Sequence, residues 1–434
     1  MKHKMLLVLS VLSSAPVLSA CSDETRAPTG GGAGTTQTGG SGGTAGTGGV
    51  GEGGEALVCN APYITKGPWV LGVDEANAKV RWEACDMTAT GGITFSEEVG
   101  GGDQTANSTV TTITLAETHK AVLNGNAAPD YAGTYYIHEA APTGLKPGTC
   151  YVYSLNADSS KKGRFCTQRP AGESFSFMAI GDTNPGLGHT TGVLENALPK
   201  APEFTLHGGD IQYYDSGLET WASWFPIMQP MLSAGAFFPA IGNHESEKEE
   251  ELAEYALRFF GDAGFDGGET YYRFQTGGVH FFSLNTEDSI GQGSPQGTWL
   301  ESRLAQVSAL PDYRFSIVFF HKPILTCGDT GDNPAARAYL EPIFLANKVV
   351  LVLQAHMHGY ERFDLGDITY LTTAGGGGLM GNVDENTERD YCNMRVASAP
   401  AYHSMIFNID AGNLTGTAID EDGAVIDTFT TPVP

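Results

Sequence analysis

Phe204-Thr205-Leu206-His207-Gly208-Gly209-Asp210-Ile211-Gln212-Tyr213 reads as a short apolar run that stops at two glycines, then offers a carboxylate and, three residues later, a phenol. A run of this length bounded by glycine is the pattern of a buried strand. Open α/β sheets bind their ligands just past the ends of such strands. Four more segments repeat the arrangement: Gly181-Asp182 after Phe175–Ile180, Gly242-Asn243-His244-Glu245 after 237–241, His321 after 315–320, and His356-Met357-His358 after 349–353. Amphipathic stretches at 218–232, 247–260 and Pro334–Ala346 separate the runs. The chain beyond Ser174 therefore alternates strands with helices and is α/β. A hairpin around Gly277-Gly278 and C-terminal strands around Asp422-Gly423 imply a second sheet.

The donor types sort into two sets. Asp182, the Tyr213 phenol, the imidazole of His358 and a shared Asp210 offer three anionic oxygens and one nitrogen, which suits a hard trivalent ion such as Fe3+. Asp210 with the amide of Asn243 and the imidazoles of His321 and His356 suits a divalent ion, Zn2+, Fe2+ or Mn2+. Two cations sharing a carboxylate activate water and clamp a phosphoryl oxygen, the two-metal route to in-line displacement. Each segment alone has a plainer reading: Gly-Asp and Gly-Asn-His are common turns, and a lone histidine at a strand end is more often a packed core residue. Five of them in one order leave little room for coincidence.

This ordered set resembles the purple acid phosphatases, a branch of the calcineurin-like metallophosphoesterases, over nearly the whole chain from about Pro62. Relatives outside that branch mostly carry Asp-x-His in the first motif and lack the tyrosine. Here Thr183-Asn184 follow Asp182 and Tyr213 is present, as in the iron-tyrosinate branch. Tyr360-Glu361-Arg362 and Pro295-Gln296-Gly297-Thr298-Trp299-Leu300 resemble further family segments. The resemblance implies an αββα metallophosphoesterase sandwich, Fe3+ at site 1, a divalent ion at site 2, a phosphate ester substrate, and monoester hydrolysis with Asp210 and His244 as catalytic residues. His244 would face the phosphate as proton donor; the plainer alternative is that it buttresses the metal loop. His207 is expected behind the ligands, and His189 is a weak substitute for the extra phosphate-side histidines of plant-type members, which 322–327 lacks. Asn184 and Ala355 stand where the family usually has glycine. Gly375 to Gly378 is not a phosphate-binding P-loop, because no Gly-Lys-Ser/Thr follows. A phosphodiesterase or nucleotidase with the same core, and a metal-binding surface protein that has lost catalysis, are the alternative functions; the intact ligand set weighs against the second.

The 434 residues carry a formal charge of −26 with 41% hydrophobic residues, which allows real cores and argues against nucleic-acid binding. Lys2 and Lys4 precede the apolar run at 5–9, and Leu18-Ser19-Ala20-Cys21 resembles a bacterial lipobox. The expectation is a lipoprotein signal peptide over 1–20, a lipidated Cys21 holding the chain to a membrane of the cell envelope or surface, and a Gly/Thr/Ser-rich tether over 21–55. An ordinary secretory cleavage near Ala20 is the alternative. From 56 to 168 the chain reads as an all-β unit before a catalytic domain over 172–434. Val80, Trp82 and Ala84 alternate with Arg81, Glu83 and Cys85 as in a half-buried strand, and Leu145 to Tyr151 resembles the tyrosine corner of fibronectin type III-like sandwiches. With Cys21 set aside, six cysteines suggest disulfides. Cys150 and Cys166 fall opposite each other in a hairpin about Asp158; Cys59 with Cys85 and Cys327 with Cys392 are the remaining choice, by domain membership.

Overall fold

The computed structural model describes residues 64–85, 91–115, 122–123, 126–127, 133–213, 221–246, 258–259, 266–267 and 270–433. The signal peptide, Cys21 and tether expected over 1–55, together with Cys59 and most of 247–260, lie outside them. No helix among the described residues is long and apolar enough to cross a membrane.

Two sheets stack face to face. In the first, Phe175–Ile180, Phe204–His207 and Ala236–Pro239 run parallel. His403–Ile409, Asn413–Asp420 and Val425–Pro432 extend it antiparallel on one side. The C-terminal strands were expected in the second sheet; they complete the first because Phe407 lies directly opposite Phe177, their rings 4.7 Å apart. The second sheet is built on parallel Val279–Ser283, Phe315–Phe319, Val349–Gln354 and Ile368–Thr373. Tyr272–Thr276 joins its edge through Gly277 and Gly278, both left-handed (φ 63° and 78°), as a two-residue hairpin turn with strand-matching twist requires.

Period-two alternation builds the layers. Phe281, Ile317, Phe319, Leu351 and Leu353 point into the core between the sheets. Their neighbours Phe282, Val318, Phe320 and Val352 pack on the opposite face against Leu300, Leu304, Leu340 and Phe344. Those last four belong to helices Pro295–Val307 and Pro334–Ala346, while helices His189–Ala197 and Trp221–Ala234 pack on the first sheet. In chain order these are α3, α4, α1 and α2. The layer order is helix, sheet, sheet, helix, and the loops that carry the expected ligands leave the strands at one end.

The β-rich N-terminal region is continuous with this core. Ile64–Leu71 pairs with Lys79–Ala84, Gly133–Ala140 and Ser108–Leu115 in succession, and the ladder Val70↔Ala236 attaches them to the first sheet. A four-stranded sheet contributes Ile93, Phe95, Tyr151 and Phe165 to the same core as Trp69 and Trp82. Gly54–Pro434 forms one compact unit. Tyr151 closes its corner by accepting from Lys146 N at 2.8 Å. The alternation in Lys79–Ala84 implied a solvated polar face, but Arg81 and Glu83 are buried. Lys66 Nζ at 2.6 Å and Arg258 Nη2 at 3.1 Å neutralise Glu83, and Arg81 bonds Glu139 and the Arg258 carbonyl.

Cys150 and Cys166 face each other across strands and are disulfide-bonded, as are Cys327 and Cys392. Cys85 is disulfide-bonded as well; its expected partner, Cys59, falls outside the described residues.

Candidate metal centre

The loops that leave the strand ends bend abruptly. Asp182, Asp210 and His356 are left-handed, with φ of 59°, 49° and 69°, a conformation that costs an L residue about 1–3 kcal/mol and persists only where its surroundings enforce it. They do so here. Asp182 N donates to the Gly209 carbonyl at 3.0 Å, Thr183 N to the Asp210 carbonyl at 3.1 Å, and Gly378 N to the Asp182 carbonyl at 2.8 Å. Gly242 must be glycine, since a Cβ there would lie 2.1 Å from Asp210 Oδ1.

The strained loops bring all seven expected ligands together in two overlapping groups. In one, His358 Nε2 lies 3.1 Å from Asp182 Oδ1 and 3.0 Å from the Tyr213 hydroxyl, which is 3.5 Å from Asp182 Oδ1. In the other, His321 Nε2 lies 3.2 Å from Asp210 Oδ2, 3.0 Å from Asn243 Oδ1 and 3.0 Å from His356 Nδ1. Donor atoms of Asp210, His321 and His356 all fall within 4.8 Å of one another. His356 N donates to Asp182 Oδ2 at 3.1 Å, which joins the groups.

The imidazoles are aimed as ligands are. His321 Nδ1 donates to the Gly208 carbonyl at 3.0 Å and His358 Nδ1 to the Leu379 carbonyl at 2.5 Å. Each leaves its Nε2 turned toward the carboxylates, the arrangement that fixes tautomer and basicity in metal sites. The electrostatics call for cations. Burial should lower His321 and His358, yet Asp210 and Asp182 outweigh it and bring both to about 9. Burial, Asp182 and Asp210 push the Tyr213 phenol well above its ordinary value. Buried carboxylates, converging imidazoles and a phenol that only strong positive charge can ionise make a donor set that fits a pair of metal ions.

Further residues hold this set in place. Glu245, fully buried, accepts from Asp210 N, Ile211 N and Gly242 N at 2.8–2.9 Å and so locks two ligand loops together. His207 is a tie behind the ligands, as expected: it accepts from Gly209 N at 3.3 Å, and its Nε2 is 3.0 Å from Thr183 Oγ1. The roles of Glu245 and Thr183 were not legible beforehand, because a carboxylate or hydroxyl beside a ligand carries no sign of which backbone groups it will meet. His189 pairs with Glu421 Oε2 at 2.8 Å and stacks on Tyr402; among the described residues no contact draws it to the expected ligands. The His244 ring is partly exposed, packs 4.2 Å from the Tyr213 ring, and has Nε2 3.8 Å from Asp210 Oδ2.

Residues 175–360, which carry all seven expected ligands, match the calcineurin-like phosphoesterase family. The chain is 26% identical over 261 residues to phosphoenolpyruvate phosphatase of Allium cepa, covering 55% of this chain and 53% of that protein. It is 25% identical over 282 residues to probable inactive purple acid phosphatase 9 of Arabidopsis thaliana, covering 52% and 43%. The chain thus spans about half the length of the curated relatives it matches. The solved purple acid phosphatase from yellow lupin seeds superposes with a TM-score of 0.68 at 16% identity, over 84% of this chain and 74% of that one, and shows the shared fold.

Within this matched region the two departures from family glycine are accommodated locally. A Cβ on Gly208 or Gly181 would lie 2.8 or 3.0 Å from the Ala355 methyl, so two facing glycines make room for Ala355. Asn184 accepts from Gly186 N at 2.9 Å and closes its own turn. The four-glycine run packs over two ligand loops: a Cβ on Gly376 would sit 2.2 Å from the Gly181 carbonyl oxygen, and one on Gly378 2.7 Å from the Tyr213 hydroxyl.

Proposed function

We propose that this chain is an exported phosphatase that hydrolyses phosphate monoesters at a two-metal centre. The convergence of seven donor side chains from five strand-end loops around Asp210 supports this most directly. Asp182, Tyr213, His358 and Asp210 would hold Fe3+; Asp210, Asn243, His321 and His356 would hold Zn2+, Fe2+ or Mn2+. Bound there, the ions would supply a nucleophile from water at low pH and charge stabilisation for the transferring phosphoryl group.

The chain's own residues supply position and a proton. Glu245 and the left-handed loops fix the donors before substrate arrives. His244, partly exposed at the rim of the cluster, would give the proton from Nε2 to the departing alkoxide. One relative, 25% identical, is named as probably inactive, and another, 26% identical, is named as a phosphatase, so identity alone does not separate active from inactive chains; the full ligand set favours activity.

The finer assignments belong to the same reading: a lipidated Cys21 as anchor, and a fibronectin type III-like N-terminal region, which the Tyr151 corner supports. The deciding experiment is metal analysis of the purified full chain beside a phosphate-release assay. Iron with a second metal, a visible tyrosinate band that Tyr213→Phe bleaches, and monoesters turned over faster than diesters are expected. A colourless, fully active protein holding only zinc or manganese would refute the iron assignment, and faster diester turnover would favour a phosphodiesterase.

A further inference from the structure

A cavity of about 850 Å3 opens beside the candidate metal centre, with His356 in its wall. The rest of the wall comes from the 286–292 loop, the turn that follows His321, and the first turns of α4 with the residues before them. That volume lies in the upper range for small-molecule sites and far exceeds what a phosphoryl group fills.

Two features of this wall would attract an anion, and both are already engaged. Lys322 Nζ lies 2.6 Å from Glu287 Oε2. The N-terminus of α4 begins with Pro334 and is capped by Asn333, which accepts from Ala336 N at 3.0 Å. Lys322 is the one cation among the described lining residues, against the carboxylates of Asp288 and Asp332. The other polar lining is uncharged, from Thr286, Ser289, Gln292 and Tyr339, and the small exposed side chains of Ala335 and Ala338 leave the space open.

The wall is also preformed. A strap at 386–392 holds 326–332 through the Cys327–Cys392 disulfide, through Arg389 donating to the Thr326 and Thr330 carbonyls, and through Tyr391 donating to Asp332 Oδ2 at 2.6 Å. Beneath it, buried Glu361 accepts from Thr326 Oγ1 at 2.6 Å and Cys327 N at 2.9 Å. A rigid site of this kind discriminates by shape and charge rather than by adapting.

We propose, resting on the phosphate-ester reading of the adjoining centre, that this cavity receives the alcohol part of the substrate and selects a neutral, hydroxyl-rich leaving group of nucleoside or disaccharide size over an anionic one.

The test uses the full-length, metal-loaded chain with phenyl phosphate, adenosine 5′-monophosphate, trehalose 6-phosphate and 3-phosphoglycerate. Ala338→Trp, which fills the cavity from an exposed helix position, should lower kcat/KM for the nucleotide, the disaccharide ester or both at least tenfold relative to phenyl phosphate, mainly through KM. Glu287→Ala should free Lys322 and raise 3-phosphoglycerate several-fold relative to phenyl phosphate. Calorimetry with adenosine and with trehalose distinguishes the two sources of hydroxyl-rich ligand without relying on turnover, and Ala338→Trp should abolish the binding seen. Ratios that neither variant moves would overturn the cavity's role, while phenyl phosphate turnover left the phosphatase reading standing. Turnover of no ester, with adenosine or trehalose still binding wild type but not Ala338→Trp, would overturn the phosphatase reading and retain the cavity as an alcohol site.

Discussion

At Glu83 a single buried carboxylate is held between Lys66 Nζ at 2.6 Å and Arg258 Nη2 at 3.1 Å, whereas at the strand ends Asp182, Asp210 and Glu245 are equally buried among imidazoles, a phenol and backbone N–H groups. Burial alone would raise Glu83, but Lys66 and Arg258 outweigh it and hold the carboxyl at about 2. Burial and the Asp210 carboxylate push Glu245 up to about 8, against the backbone N–H groups that favour its charged form. The first cluster meets its carboxylate with side-chain cations from the same chain and serves structure. The second meets its carboxylates with imidazoles that take up protons, which bound metal ions would displace, and this is the condition for recruiting cations and, through them, an anionic substrate.

The largest expected effect comes from deleting the shared charge. Asp210→Asn should strip metal from the purified protein and lower phosphate release on the order of 10³-fold or more, the several kcal/mol that Lewis-acid stabilisation supplies. Glu83→Gln, by contrast, should keep its metal. An Asp210→Asn protein with full metal content and turnover would break the distinction between the clusters.

Glu83→Gln should act on stability instead, because it leaves Lys66 and Arg258 buried without their anion. Breaking such a pair costs about 3–5 kcal/mol, readable as a shift in denaturant midpoint. Glu139→Gln, whose carboxylate and Lys79 partner are partly exposed and whose buried partner Arg81 keeps the Arg258 carbonyl, should cost less than Glu83→Gln. The sign with pH follows from the depressed carboxyl. Its contribution is complete above the ordinary value of 4.5 and is lost as pH falls through about 2, a loss of about 3 kcal/mol in wild type. The Gln variant should lack that loss. Equal acid sensitivity in both proteins would place the titrating group elsewhere.

The two clusters also differ in how far the sequence betrayed them. The ligands were legible because each follows a short apolar run, and a strand end is a fixed place in an α/β sheet. Glu83 was misplaced on a solvated face, because its alternation with Trp82 is local while the cation that buries it, Arg258, arrives from 175 residues away. The C-terminal strands were assigned to the wrong sheet for the same reason: strand pattern does not name a neighbour, and the Phe177–Phe407 pair does. Glu245 and the 386–392 strap went unread because their work is to satisfy backbone groups that only the folded loops bring near.

At the open side of the metal cluster, His244→Ala should lower kcat for alkyl phosphates about a hundredfold while metal content holds, with a smaller loss for nitrophenyl phosphate, whose leaving group needs less help from a proton donor. An equal loss across a leaving-group series, or loss of metal, would assign His244 to buttressing the loop instead.

The smallest effect is expected where the metal cluster rests on neutral contacts. Thr183 Oγ1 accepts from Trp224 Nε1 at 3.1 Å, lies 3.0 Å from His207 Nε2, and donates to the Ile211 carbonyl. Burial pushes His207 down to about 3, so no charge is at stake in this network. Thr183→Val keeps the shape and removes the hydroxyl, leaving buried polar groups without it at a cost of about 1–3 kcal/mol, while Thr183→Ser should restore most of the midpoint. Metal affinity should weaken by no more than about 10–100-fold, as when a support behind the ligands is lost. If Thr183→Val instead cost as much as Glu83→Gln, charge balance would not be what separates the two clusters, and hydrogen-bond satisfaction alone would account for both.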